Sequence, residues 1–102
     1  MSLNITLPPA QAFIGGEWVD TADTLSVEAP ATGEPLAHIA RSQQGEVDAA
    51  VQAARLAFSG QLGEWASWSA RQRSLWLLRF ADAIEANHVR LAQLECADTG
   101  KP

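Results

Sequence analysis

Apolar residues in this chain change their spacing once, between residues 40 and 44, and that change limits the fold more than any other feature. Before it, apolar and polar residues alternate. After it, apolar residues recur at intervals of three and four. Alternation sends successive side chains to opposite faces of a strand, whereas the longer period lines one side of a helix.

The strand-like part begins with "AFIGGEWVD", residues 12–20. Phe13 and Ile14 precede Gly15-Gly16, and Trp18 and Val19 follow. Two short apolar runs around a glycine pair predict a hairpin, because both glycines tolerate the positive φ of a tight turn. In "TLSVEAP", Leu25 and Val27 alternate with Thr24, Ser26 and Glu28, and Pro30 ends the run. "ATGEP" reads as a turn, with Thr32 before Gly33 and Pro35 close behind. "LAHIA", residues 36–40, alternates again. The first 40 residues therefore predict three or four short strands, preceded by a loose leader over residues 1–11 in which Pro8-Pro9 blocks regular structure.

Beyond the change of period, Val47, Ala50, Val51, Ala54 and Phe58 share one face of a helix over residues 44–58. Glu46 and Asp48 stand at its start, where the helix dipole favours anions, and Gly60 and Gly63 are expected to close it. "WASW" then connects to a second helix. Ser69-Ala70-Arg71-Gln72 predicts a reciprocal capping box, and Leu77, Phe80, Ala81 and Ile84 form a stripe that Leu75 and Leu78 broaden. Asn87 is the expected cap of a third helix from residue 88 to about 97, which Gly100 terminates and Pro102 cannot continue.

Candidate chemistry is sparse. Gly100-Lys101 resembles a phosphate loop only locally: Glu95 stands where that loop needs its first glycine, and Pro102 where it needs a hydroxyl. No glycine-rich dinucleotide loop occurs, and no strand–helix unit to hold one is expected. Cys96 is the single cysteine, so no internal disulfide forms; this suits a reducing cytoplasm, the expected location. Glu95 and Asp98 flank the thiol and oppose its ionisation, so it reads as a packed thiol rather than a nucleophile. His38 and His88 stand at no ligand spacing from Cys96, which excludes a zinc motif. Trp65 and Trp68 read as packing anchors. A net charge of −5 speaks against nucleic acid, and no apolar run approaches the ~20 residues of a membrane span. The start, "MSLNITLPPAQ", lacks the basic cluster and apolar core of a signal peptide. These residues alone contain no catalytic constellation.

The order of the pieces is nevertheless specific. "FIGGEWVD", "APATGEPLAHIA", "EVDAAVQAARLAF", a tryptophan connector and "SARQRSLWLLRFADAIEANHVRLAQLECADTGKP" together resemble the amino-terminal part of an aldehyde dehydrogenase, from about Phe13 to Pro102. The tags P-A-T-G-E at 30–34 and D-T-G-K-P at 98–102 carry most of the likeness. In that family an asparagine commonly precedes P-A-T-G; here Ala29 stands in its place and lacks a side chain to brace the turn.

The resemblance implies an α/β fold: an amino-terminal β-hairpin and short strands, then three helices. It makes residues 12–102 the incomplete opening of a Rossmann-like cofactor domain behind the leader 1–11. It implies oxidation of an aldehyde to a carboxylic acid with NAD or NADP. In the family, a cysteine thiolate attacks the aldehyde and a glutamate activates the hydrolytic water. Those residues, the oxyanion-hole asparagine and the dinucleotide loop lie beyond the D-T-G-K-P tag in the family, and Cys96 does not match the catalytic position. No catalytic or cofactor-binding residue is therefore carried over, and neither dinucleotide is expected to bind this chain alone. One site does carry over: many members hold a structural monovalent cation near the residues matching Val27, Glu28 and Asp98, largely through backbone carbonyls. The expected partners are the remainder of the enzyme or a separate catalytic chain, and further copies in a homo-oligomer. Two rivals remain at this point: a free-standing, non-catalytic interaction module, and an unrelated α+β binding domain. "SARQRS" is reminiscent of the betaine and aminoaldehyde members.

Overall fold

The computed structural model describes residues 5–59 and 65–102. Four strands precede three helices: β1 (Ala12–Ile14), β2 (Glu17–Val19), β3 (Asp23–Glu28), β4 (Pro35–Arg41), α1 (Gln44–Phe58), α2 (Ala70–Ala86) and α3 (His88–Thr99), with a 3-10 turn at Trp65–Ser67. The strands form two separate antiparallel pairs, β1–β2 and β3–β4.

Each element has a local cause. Gly15 (φ 62°) and Gly16 (φ 83°) make the tight β1–β2 turn, and Phe13 faces Trp18 across it with ring centroids 5.0 Å apart. In the second pair Leu25 lies opposite Ile39 and Val27 opposite Ala37, so the alternation places these four on one face. The register slips between Val27 and Glu28, which leaves Glu28 opposite Pro35. The exposed Arg41–Asp23 ion pair at 3.9 Å, at the far end of this hairpin, contributes little.

The helix ends are fixed by side chains. At α1 the amide of Gln43 donates to Glu46 at 3.3 Å, and Gln44 donates to Asp48 at 2.7 Å. The expected glycine stop of α1 at Gly60 and Gly63 lies outside the described residues. At α2 the capping box forms as expected: the Ser69 amide donates to Gln72 Oε1 at 2.7 Å and the Gln72 amide to Ser69 Oγ at 3.2 Å. Asn87 departs from expectation. It occupies the cap position of α3, but its side-chain amide turns back to the Ala83 carbonyl at 2.8 Å, so it closes α2 instead. Gly100 (φ 77°) ends α3 in the left-handed region, its amide donating to the Cys96 carbonyl at 2.9 Å.

These elements enclose no interior. No described residue is buried, and Phe13, Phe58 and Leu78 are each 60% or more exposed. The accessible surface is 8074 Å², against about 5,600 Å² for a compact chain of this mass. The radius of gyration is 17.1 Å, against about 13 Å for a compact domain of about 100 residues. Two local packings stand out. The β1–β2 turn rests on α1, where Gly15 approaches Ala53 and the small side chains of Ala50, Ala54 and Ala57 admit it. In the other, Trp65 contacts Trp68 at 5.5 Å and Trp76 at 5.8 Å, and Trp76 stacks on Phe80 at 5.8 Å. Leu75 and Leu78 do not broaden the stripe of α2. With Trp68, Trp76, Arg79 and Asp82 they line a separate shallow groove, giving α2 a second apolar side. A helix apolar on more than one side is built for burial on more than one side.

Two outcomes follow. The isolated chain should bind a hydrophobic dye, associate with itself and melt without a sharp transition; a sharply melting monomer that binds no dye would contradict an open arrangement. In a peptide covering residues 65–87, Ser69→Ala should lower helicity by an amount equivalent to about 1 kcal/mol, read by far-ultraviolet circular dichroism.

Candidate functional site

The carboxyl end of α3 meets the β3–β4 turn, a contact between distant parts of the chain. The turn begins at Ala29, whose carbonyl accepts from Thr32 N–H at 3.3 Å and from Gly33 N–H at 2.8 Å. The Ala29 amide donates to the Glu34 carbonyl at 2.8 Å, and the Glu34 amide to Thr32 Oγ1 at 3.2 Å. Pro30 therefore takes the second turn position, which its fixed φ suits, and Gly33 supplies a positive φ of 72°. The backbone closes this turn without a side chain at position 29.

Gly100 reaches this turn. A Cβ placed on it would lie 3.3 Å from Pro30 Cγ and 3.8 Å from the Ala31 nitrogen. Leu94, Cys96 and Ala97 are half-buried along the same end of α3. Thr99 Oγ1 donates to the Glu95 carbonyl at 2.7 Å and accepts from the Lys101 amide at 3.4 Å, which draws the chain tightly past the helix end.

The three residues singled out for a monovalent cation flank this junction. Val27 is half-buried in β3, Glu28 is exposed at the register slip, and Asp98 is exposed in the last turn of α3. Pro35, opposite Glu28, has no N–H to donate across the ladder. The last carbonyls of α3 lie at the negative end of its dipole. The donors these residues offer are oxygens, carbonyls and two carboxylates, a type that suits a hard cation better than a transition metal. Among the described residues no group of three His, Cys, Asp or Glu side chains is placed to hold a metal ion.

Other candidates separate. Cys96 is a half-buried free thiol. His38 is exposed on β4 opposite Ser26. His88 starts α3, but its Nδ1–H donates to the Glu85 carbonyl at 2.8 Å, so the ring sits against the end of α2. The tryptophans at 65 and 68 are engaged with each other. The strand over 36–40 and the helix over 44–58 that the sequence predicts do join as a strand–helix unit, β4 entering α1 across Ser42-Gln43. It is no dinucleotide cradle, because no glycine precedes the helix and the Glu46 carboxylate occupies the capping amide. Gly15-Gly16 turns between strands and Gly100 closes a helix, so neither makes a pyrophosphate loop. What the sequence did not reveal is the meeting of Pro30 with Gly100; each reads locally as a stop, and no spacing pattern joins them.

A profile of the "Aldehyde dehydrogenase family" matches residues 18–102. Curated relatives include aldehyde dehydrogenase 1 of Tanacetum cinerariifolium, 44% identical over 103 residues, covering 99% of this chain and 20% of the relative. Aldehyde dehydrogenase X, mitochondrial, of Bos taurus is 40% identical over 102 residues, covering 97% and 20%. Betaine aldehyde dehydrogenase of Vibrio vulnificus is 41% identical over 92 residues, covering 88% and 18%. The chain spans about a fifth of the length of the curated relatives it matches.

The turn makes a checkable claim. Space is open around Gly33, so Gly33→Ala should cost only the left-handed backbone energy, about 1 kcal/mol, and weaken the hairpin. Ala29→Asn should strengthen it, since asparagine favours the first turn position. Cross-strand nuclear Overhauser contacts between Leu25 and Ile39 report both changes, and equal hairpin populations in the two variants would contradict the geometry.

Proposed function

The chain belongs to the aldehyde dehydrogenase family, and from that premise we propose that it is the leading segment of an enzyme oxidising an aldehyde to a carboxylic acid with NAD or NADP. The observation that carries this reading is the set of uncovered apolar faces on α1, α2 and α3, a surface shaped to lie on further structure. In this reading residues 12–102 open the cofactor domain and pack on a Rossmann-like sheet formed by other residues, with 1–11 as a leader. The reaction needs a hydride acceptor, which the dinucleotide provides. No residue of this chain is assigned to the dinucleotide or to the reacting carbon. Its part is to pack, within that domain, on the sheet that holds them. A homo-oligomer in the cytoplasm completes the proposal; among the described residues no helix is long and apolar enough to cross a membrane.

Val27, Glu28 and Asp98 are proposed to hold a structural monovalent cation at the α3–turn junction. The oxygen donor set and the helix dipole support this, and the cation would bind the first hairpin region to the last helix without entering the reaction.

The purified 102-residue chain, given an aldehyde and NAD or NADP, should form no reduced nicotinamide; a substantial rate would overturn the assignment of catalysis to other residues. In the assembled enzyme Cys96→Ser should leave kcat unchanged. Asp98→Asn should reduce the potassium-dependent rise of its melting midpoint, measured against choline chloride at equal ionic strength. An unchanged rise would remove Asp98 from the site.

A further inference from the structure

We propose that residues 5–11 are a strap that ties the mouth of the β1–β2 hairpin to α3, rather than a loose leader. Two hydrogen bonds hold it, one near each end. The Gln11 side-chain amide donates to Asp20 Oδ1 at 2.7 Å. Ala12 pairs with Val19, so Gln11 and Asp20 stand one step outside the last pair of the hairpin and close its mouth. At the other end Arg90 Nη2 donates to the Thr6 carbonyl at 3.4 Å, joining residues 84 positions apart. Ile5, Ala10 and Gln11 are half-buried, so the segment lies along the molecule at both ends.

Pro8-Pro9 stiffens the segment between these anchors. Both rings hold φ in the range of an extended polyproline segment, and neither residue has an N–H that needs a partner. Taken alone, the pair only blocks regular structure. Between two anchors it is a pre-extended spacer, and less chain entropy is lost when it is fastened. Arg90 presents its guanidinium from an exposed position on α3, and the Thr6 carbonyl is a neutral acceptor, so the strap can open without disturbing the helix. Its place gives it a consequence for the whole segment. The hairpin turn rests on α1 at Ala53, and the strap fastens the hairpin mouth to α3, so residues 5–11 link the first helix to the last. This link draws neither on the reaction nor on the cation.

The experiment is limited proteolysis of the full-length enzyme with proteinase K, with cuts within residues 5–11 followed by intact mass spectrometry. Each rate is referred to that of a free peptide with the sequence of residues 5–14. Cutting the strap requires its release, so its rate falls below that of the peptide by the equilibrium constant for opening. Two hydrogen bonds should slow cleavage by about tenfold or more relative to the peptide. Arg90→Ala should be cut roughly fivefold faster than wild type, the factor one hydrogen bond contributes, with its melting midpoint unchanged. Pro8→Gly combined with Pro9→Gly should also be cut faster, measured against its own free peptide, because a flexible spacer loses more entropy on fastening. If Arg90→Ala does not fold, Asp20→Ala, which frees the other anchor, decides by the same comparison. A wild-type leader cut as fast as the free peptide overturns the strap, and so does an Arg90→Ala leader cut at the wild-type rate.

Discussion

The structure depends on burial that its own residues do not supply. Full burial of a leucine, isoleucine or phenylalanine side chain stabilises by about 1.5–3 kcal/mol, whereas a helix cap contributes about 1 kcal/mol. In α2, Leu75, Leu77, Leu78, Phe80 and Ile84 are all more than two-fifths exposed. The stronger source of stability is thus withheld from the helix that has most of it to gain. Capping, turn geometry and cross-strand pairing shape the elements, but they cannot offset the entropy of ordering about 100 residues. Among the described residues nothing covers the amphipathic faces, and these mark where an enclosing surface would lie.

That division between local shape and remote stability explains how the elements are arranged. The β1–β2 hairpin sits on the alanine-rich side of α1 because only small side chains allow a glycine turn so near. The valines of α1, Val47 and Val51, are half exposed. Trp65 packs on both Trp68 and Trp76, so one aromatic row substitutes for a missing interior over a short distance.

Legibility followed the same line. Features whose cause lies within a few residues were readable: Gly15-Gly16, the Ser69–Gln72 box, the period of α1, the Gly100 stop. Asn87 was misread because two helices share it: its Nδ2 donates to the Ala83 carbonyl at the end of α2, and in that orientation its Oδ1 makes no cap bond to α3. Leu75 and Leu78 were misassigned because a count of apolar residues does not tell a broad stripe from two faces. The β4–α1 junction was located by the change of period between residues 40 and 44, although no glycine marks the turn at Ser42-Gln43. The assignment of Val27, Glu28 and Asp98 to a cation rests on family likeness alone, since backbone carbonyls leave no mark in residue type.

The two tags that carry most of the family likeness, P-A-T-G-E and D-T-G-K-P, have no apparent reason to be specific when read separately, because each is a common way to end an element. In three dimensions Pro30 of the first meets Gly100 of the second. A proline at the second turn position presents a rigid ring edge, and a left-handed glycine presents bare backbone; few other pairs can close to that separation without strain. The demand is mutual: a Cβ on Gly100 would come within 3.3 Å of Pro30 Cγ, so bulk added on one side presses on the other. Neighbouring residues inherit the constraint: Thr32 and Gly33 hold the ring edge in place from within the turn, and Thr99 holds the helix end through the Glu95 carbonyl. Ala29 is free of it, because only its backbone takes part, and that is where this chain departs from the family pattern.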